Sequence, residues 1–490
     1  MNIASYSFIL IFLPVVVAGW FYLNKRGFAN AAKLFLLAAS LYFYAMAGMR
    51  HLLALVISIC INYLIGNYGL TEKTSEIARK LLLMTGIVVN IGALAYCKYL
   101  TYFEGLLNSH AGCTLTFTAI VIPLGISYFT FSQIAYLVDS YKNVSLKYNF
   151  LDYALFISFF PKITVGPIAL SSEMIPQFND ERRKKVNYEN LSKGLYGFTF
   201  GLAKKLLIAD SLAPFVDLGY QNIPNLGTTN ALIVIISYTM QIYFDFSGYC
   251  DMAVGICRMM NFDIPDNFDA PYRALSIAEF WKRWHITLTR FFRNYVYIPL
   301  GGNRRGKFRT YLNNFLIFFL SGLWHGAATT YVVWGVIHGI GSIISKIASP
   351  VTKKLPKFIR WFVTFAFVNL AWVYFRAPDL ETANQMIKQL FTGGIIPMNA
   401  TLVASTLPEE GNIIQWIVYK IVPTGVYYCD SIIIIGVMLF AVIASTCLKT
   451  TPERVKKFSP SGAKLATIVI LLVWSILSLS EVSQFIYVNF

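Results

Sequence analysis

Long apolar runs follow one another along the chain, separated by short stretches that contain Lys, Arg, Gly and Pro. A helix needs about 20 apolar residues to cross a hydrocarbon core of about 30 Å. Runs of that length lie at roughly 3–23, 28–48, 52–70, 80–98, 116–138, 150–170, 194–216, 229–256, 310–345, 358–376, 426–447 and 465–487. The pattern predicts an all-α polytopic integral membrane protein with about eleven transmembrane helices, together with re-entrant or interfacial helices.

Two of these runs are interrupted by residues that do not suit a simple crossing. The run 150–170 contains Pro161-Lys162 and Gly166-Pro167, and the run 194–216 contains Lys204-Lys205. Irregular backbone at membrane depth is tolerated where it is buried in protein or lines a watery cavity. The interruptions therefore predict an internal site.

Charged residues are few and mostly basic. Asp, Glu, Lys and Arg make up 13% of the chain, against about 25% in a typical soluble protein, and the formal net charge is +17. The positive-inside rule accounts for such an excess in a membrane protein. It places the loops that carry Lys25-Arg26 and Arg79-Lys80 in the cytoplasm and the N-terminus outside. No basic segment lies outside the membrane pattern, so we expect no nucleic-acid partner.

The densest polar region, 263–309, holds nine basic and four acidic residues. Within it, 280–295 has a helical pattern in which most aromatic and apolar side chains share one arc of about 120°. We expect one amphipathic helix in the plane of the membrane surface, with its basic face toward the phosphates of membrane lipids. His285 lies at the edge of the arc, and the simplest interpretation of it is a hydrogen bond to a carbonyl group.

His325 lies deep inside an apolar run, between Gly322 and Gly326. Ionisable side chains inside membranes are costly and usually face a bundle interior or a cavity. A neutral imidazole at such a place has the chemistry of a general base. The alternative is a histidine that only packs between helices.

Two carboxylates, Asp245 and Asp251, also fall within an apolar segment and are functional candidates for the same reason. The histidines show no HxxxH or HxH spacing, so we expect no metal site. The residues alone leave open a proton-coupled transporter or flippase, in which both carboxylates and His325 form a relay, a non-catalytic export scaffold, and an acyl transfer to a hydroxyl. We favour acyl transfer because no internal repeat typical of transporters is visible.

Three stretches carry a resemblance to a known family. YFDFSGYCDMAVGI (243–256), NFDAPYRALSIAEFWKRWHITLTRFFRNYVYIPLGGNRRG (267–306) and SGLWHGAATTYVVWGVIHG (321–339) resemble the membrane-bound O-acyltransferases. FFPKITVGPI (159–168) and the terminal FIYVNF (485–490) are similar to further landmarks of that family. The likeness is to the bacterial branch that contains alginate O-acetyltransferases and teichoic-acid D-alanyl transferases. YIPLGGNRRG favours the polysaccharide O-acetyltransferases over D-alanyl transfer.

The resemblance implies a single domain over 1–490, strongest at 243–339, whose helices surround a central funnel. It implies that His325 is the catalytic histidine and that His285 supports it. It further implies a bacterial cytoplasmic (inner) membrane enzyme that moves an acetyl group from a cytoplasmic donor, acetyl-CoA, toward hydroxyls of an extracytoplasmic polysaccharide, with a separate exported acetyltransferase as partner and no bound cofactor. D-alanyl transfer to teichoic acid is the alternative within the family.

Two groups of side chains complete the expected site. Indole rings near the histidines are expected to exclude water from the activated acyl group; these are Trp281, Trp284 and Trp324. Guanidinium groups suit the phosphates of a donor through bidentate contacts, with lipid headgroups as the alternative ligand; these are Arg283, Arg290, Arg304 and Arg305.

Overall fold

The protein is described from a computed structural model, in which residues 2–111, 122–142, 147–395, 426–481 and 485–486 are described. Over these residues the chain is helical and shows no β-strand. Six of the described helices are long and apolar enough to cross a membrane: Phe8–Lys25, Met49–Gly69, Glu76–Leu100, Gly227–Met259, Thr329–Thr352 and Lys357–Arg376. Three shorter apolar helices join them: Ala29–Ala45, Ser431–Thr446 and Gly462–Leu477. The predicted all-α polytopic architecture is confirmed, and the total of about eleven crossings stays a prediction.

The α-helices of the described residues are, in chain order, α1 (Leu13–Lys25), α2 (Ala29–Ala45), α3 (Met49–Leu64), α4 (Glu76–Ala111), α5 (Ile126–Lys142), α6 (Phe150–Ser158), α7 (Ser171–Asn179), α8 (Tyr188–Ala203), α9 (Asp210–Gln221), α10 (Gly227–Met259), α11 (Ile277–Arg283), α12 (Ile286–Phe292), α13 (Gly306–His325), α14 (Thr329–Thr352), α15 (Lys357–Arg376), α16 (Leu380–Thr392), α17 (Val426–Thr446), α18 (Thr451–Lys456) and α19 (Gly462–Leu477). A π-helical segment, Lys204–Ala209, connects α8 to α9. A second π-helical segment, Arg293–Tyr297, continues α12.

Contacts between helix ends define two faces of the molecule. At the first, which we call the basic face, α1 packs against the 3-10 segment Glu181–Lys184, and Arg183 pairs with Asp263 just beyond the end of α10. At the opposite face, the Tyr6 hydroxyl donates to the Ile476 carbonyl near the end of α19. The positive-inside rule assigns the basic face to the cytoplasm.

The interrupted run 150–170 does not cross the membrane as one helix. It forms α6, then a buried turn over 159–166, and returns to α7, whose Asn179 side chain donates to Asp152 near the start of α6. The Lys162 side chain is buried there with its Nζ 4.2 Å from the Phe156 ring centroid. This segment is re-entrant, and its irregular backbone is enclosed by protein, as the Pro and Gly interruptions predict.

The prediction of a single amphipathic helix over 280–295 is wrong. Two short helices, α11 and α12, meet at His285, which adopts a left-handed conformation with φ 45°. The cause is Asn267, because its backbone carbonyl accepts the Ile286 N–H and its side chain accepts the Thr287 N–H. Because Asn267 binds these two N–H groups, they are not available for the hydrogen bonds of a continuous helix. The aromatic arc lies in the protein interior instead of the membrane surface.

The apolar run 310–345 is also two elements, α13 and α14, which pack against each other as an antiparallel hairpin. The backbone leaves the helix at Gly326, where φ is 170° and ψ 174°. Close approach of the two helices depends on Gly322, because a Cβ there would lie 2.4 Å from the Tyr331 carbonyl oxygen. The hairpin places His325 at the end of α13, at its turn.

We expect Gly322→Ala to destabilise this hairpin by about 1–3 kcal/mol, because the new methyl group overlaps backbone that has no rotamer to change. Thermal melting of the detergent-solubilised protein, followed by size-exclusion chromatography, measures the effect. Gly436→Ala in α17 is the matched control, since nothing lies within 4 Å of its added Cβ. Equal melting temperatures for the two variants would contradict the close packing of α13 on α14.

Candidate active site

His325 ends α13 and is buried, with 3% of its surface exposed. It lines a cavity of about 550 Å³ together with residues of α4, α9, α10, α14 and α15. The cavity extends from the partly exposed pair Arg376 and Asp217, whose charged atoms are 2.6 Å apart, to the buried Gln241 about halfway along α10. His325 is therefore reached from the face opposite the basic face, at a depth near the middle of α10.

Residues of α4 hold the last turn of α13. The Lys98 ammonium group donates to the Trp324 carbonyl at 2.6 Å, and the Tyr99 hydroxyl donates to the Leu323 carbonyl. The final carbonyls of a helix have no partner within the helix, and a cation there is favourable toward the helix dipole. These contacts fix the backbone that carries His325.

His285 is buried with 1% exposure, and its position follows from the break between α11 and α12. Its Nδ1 lies 3.1 Å from Asn267 Oδ1, which also accepts the backbone N–H and the hydroxyl of Thr287. The partner is thus a carbonyl oxygen, as the simplest interpretation expects, and it belongs to the side-chain amide of Asn267. The amide and the left-handed backbone together fix the direction of the ring.

The Trp324 indole contacts both histidines. Its ring centroid is 4.6 Å from that of His325 and 6.2 Å from that of His285. Trp281 and Trp284 are buried as well, but they lie behind this group: the Trp281 indole N–H donates to His338 Nδ1 at 3.2 Å, and Trp284 stacks on Phe280. Of the three expected indoles, Trp324 is therefore the one whose ring contacts these two histidines among the described residues.

The four arginines fall into two groups. Arg283 is paired with Glu279 and Asp269, and Arg290 binds Glu173. Both are only partly exposed and lie on the short helices that meet at His285. Arg304 and Arg305 are exposed at the start of α13, and among the described residues neither forms an ion pair. About 30 Å of helix separates them from His325.

Asp245 and Asp251 are both held by lysines of the π-helical segment. Asp245 Oδ1 is 2.8 Å from the buried Lys205 Nζ, which is also 2.8 Å from Asp210, and Asp251 pairs with Lys204 at 2.5 Å. The two carboxylates do not line the His325 cavity. The structure therefore does not bring them together with His325, as a relay would need.

Within the described part of the chain, no group of three His, Cys, Asp or Glu side chains is arranged to hold a metal ion. The polar groups that line the His325 cavity include Lys98, Gln241 and the paired Arg376 and Asp217. An imidazole base at the bottom of a cavity, with the Trp324 and Trp334 indoles against its ring, can deprotonate a hydroxyl that enters the cavity.

Comparison with known proteins decides the family. The model of the membrane-bound O-acyltransferase family matches residues 31–378. The chain belongs to this family. It is 37% identical to a peptidoglycan O-acetyltransferase of Helicobacter pylori, over 99% of this chain and 96% of the relative, and 37% identical to a probable alginate O-acetylase of Pseudomonas aeruginosa, over 80% and 75%. A teichoic acid D-alanyltransferase of Bacillus subtilis is 30% identical over 44% of this chain and 57% of its own length.

The enzyme is thus an acyltransferase, and the family membership predicted from WKRWH and WHG is confirmed. Lys98 and Gln241 also line the His325 cavity, and the sequence pattern did not single them out. Each lies inside a long apolar helix. A charge or a carboxamide is unusual there, so it is the signal in the sequence that could have identified them.

Proposed function

We propose that this enzyme transfers an acetyl group from acetyl-CoA, on the cytoplasmic side, toward hydroxyl groups of an extracytoplasmic polysaccharide. The observation that carries the proposal is the placement of His325, buried at the base of a cavity that extends to the face opposite the basic face. The short helices meet at His285, which the Trp324 ring links to His325, and we take this junction as the side from which the donor approaches. An acyl group and its acceptor can therefore meet at His325 from opposite faces.

In the proposed reaction, His325 removes the proton from the attacking hydroxyl. The oxygen forms a bond to the thioester carbonyl carbon, the carbon–sulfur bond breaks, and the proton passes to the departing thiolate. A positioned base typically contributes 10²–10⁴-fold to such a step, as an order of magnitude. His285 orients the reacting groups from the position that Asn267 fixes.

The relatives favour acetyl over D-alanyl as the acyl group. The matched D-alanyltransferase covers less than half of this chain, whereas the matched peptidoglycan O-acetyltransferase covers nearly all of it. We further propose a location in the bacterial inner membrane and a separate exported acetyltransferase that completes the transfer. The single domain over 1–490 stays a prediction.

Inverted membrane vesicles test this proposal, because they expose the basic face to the medium. Radiolabelled acetyl-CoA added outside is expected to yield base-labile acetate on polymer inside the vesicles. Label that appears only when acetyl-CoA is enclosed within the vesicles would contradict the assigned direction. Release of D-alanine instead of acetate from the polymer would favour the alternative acyl group.

We propose that Arg283 and Arg290 are the arginines that meet the donor phosphates, because they flank His285 on the short helices. Arg304 and Arg305, at the other end of α13 from His325, then contact lipid headgroups. Arg290→Gln is expected to raise the KM for acetyl-CoA in the vesicle assay by about 10-fold or more, the scale of a lost hydrogen bond to a charged group. Arg290→Lys keeps the charge and is expected to recover part of the loss.

Arg304→Gln is the matched control and is expected to leave the KM for acetyl-CoA unchanged. A larger increase in KM for Arg304→Gln than for Arg290→Gln would reverse the assignment.

A further inference from the structure

Like Ser237 and Ser247, Gln241 is a buried side chain of α10 with a polar atom that has no hydrogen-bond partner among the described residues, but of the three it is the one that lines the His325 cavity. It is 7% exposed and lines the His325 cavity. Its amide oxygen is buried and has no hydrogen-bond partner among the described residues. By contrast, the hydroxyl of Thr239, two residues earlier, donates to Asn369 at 2.7 Å, and Asp245, one turn later, is bound by Lys205 and by the Ile486 N–H.

A buried carbonyl oxygen without a donor costs about 1–3 kcal/mol. Buried polar groups in native proteins are almost always satisfied, and an exception at a cavity wall points to a group that enters the cavity. The missing partner of an amide oxygen is a hydrogen-bond donor. A hydroxyl is such a donor, and a hydroxyl is what His325 must receive in the proposed reaction.

The charges of the cavity suit the same ligand. Two cations, Lys98 and Arg376, line it, with Asp217 as the carboxylate paired to Arg376. The Lys98 ammonium group has three N–H donors, and its hydrogen bond to the Trp324 carbonyl uses one of them. Lys98 has no carboxylate partner among the described residues. Its positive charge therefore favours negative charge on an oxygen that is losing its proton.

We propose that Gln241 is a further substrate-binding residue, whose carboxamide oxygen holds the attacking hydroxyl of the acyl acceptor beside His325. The inference rests on the proposed acyl transfer and names the part of the site that selects the acceptor. The hydroxyl donates its hydrogen to Gln241 while it binds and then to His325 as its oxygen attacks. Lys98 neutralises the negative charge that develops.

The test uses inverted membrane vesicles that hold the full chain and the proposed exported acetyltransferase, with acetyl-CoA outside as donor and soluble peptidoglycan glycan fragments enclosed as the acceptor probe. Release of CoA thiol gives the rate. Gln241→Met is expected to lower kcat/KM for the acceptor about 10-fold, the scale of one hydrogen bond, and to leave the KM for acetyl-CoA unchanged. Gln241→Glu keeps a carbonyl oxygen in the same place and is expected to recover most of the loss.

Gln133→Met is the matched control, because Gln133 is also a buried glutamine but contacts Ser58, away from the cavity. A general packing defect would affect Gln133→Met and Gln241→Met alike and would raise the KM of both substrates. That outcome, or a Gln241→Glu variant as impaired as Gln241→Met, overturns the role of Gln241. If the unsubstituted protein releases no more thiol than His325→Ala, the proposed function itself fails and this inference falls with it.

Discussion

Replacing His325 by alanine is expected to abolish O-acetylation of the envelope polysaccharide while the protein still folds and inserts. The alanine fits the space, because His325 ends α13 and its backbone is held through the neighbouring carbonyls by Lys98 and Tyr99. In the proposed reaction the imidazole is the general base, so a loss of 10²–10⁴-fold or more, as an order of magnitude, is expected. Acetate released by mild base from isolated envelope polymer measures it.

A matched substitution separates chemistry from packing. His338 is also buried, but it lies in α14 and accepts the Trp281 N–H at 3.2 Å. His338→Gln preserves an acceptor for that indole and is expected to retain acetylation. Acetate at the unsubstituted level in cells that carry His325→Ala would exclude His325 as the base, whereas equal loss in both variants would assign the effect to folding.

The second large effect is expected from Lys205→Met, which breaks a buried ion network. Lys205 is completely buried and bridges Asp210 and Asp245, both at 2.8 Å. Removing the cation leaves two carboxylates side by side without compensation. Breaking a buried pair in this way costs about 3–5 kcal/mol, so we expect a large fall in the yield and melting temperature of the solubilised protein.

The double variant Lys205→Met with Asp245→Asn removes one of the orphaned charges and is expected to recover part of the stability. An exposed pair supplies the control, since Lys193 and Glu189 are 2.6 Å apart on the surface of α8. Lys193→Met is expected to change stability by less than about 1 kcal/mol. A Lys205→Met protein as stable as Lys193→Met would show that the network contributes nothing to the fold.

The hydrophobic pattern predicted the class of fold but not the places where helices break. It treated 280–295 as one helix because its arc of aromatic residues is continuous, and that arc is indeed buried. The break at His285 comes from Asn267, which is 18 residues away along the chain and binds two backbone donors. A local pattern contains no information about such a distant partner.

The same limit applies to the candidate site. The histidines were predictable, because an ionisable group in an apolar run is conspicuous, and the family motifs support them. The partners of Asp245 and Asp251 were not identified, although Lys204 and Lys205 were noticed as an interruption of their own run. Only the packing of α8 and its π-helical extension against α10 joins the two observations.

The cavity at His325 also has an electrical consequence. A cavity that reaches the middle of α10 leaves only part of the bilayer thickness as an insulator, so we expect the membrane potential to fall mainly across the protein between His325 and the basic face. Moving one charge through such a potential requires about 2.3 kcal/mol per 100 mV. If acetyl transfer runs in the proposed direction, the uncharged acetyl group crosses this layer without electrical work, while the phosphates of the proposed donor stay on the side of Arg283 and Arg290. Acyl export through this protein is therefore expected to proceed at the same rate in energised and in depolarised membranes.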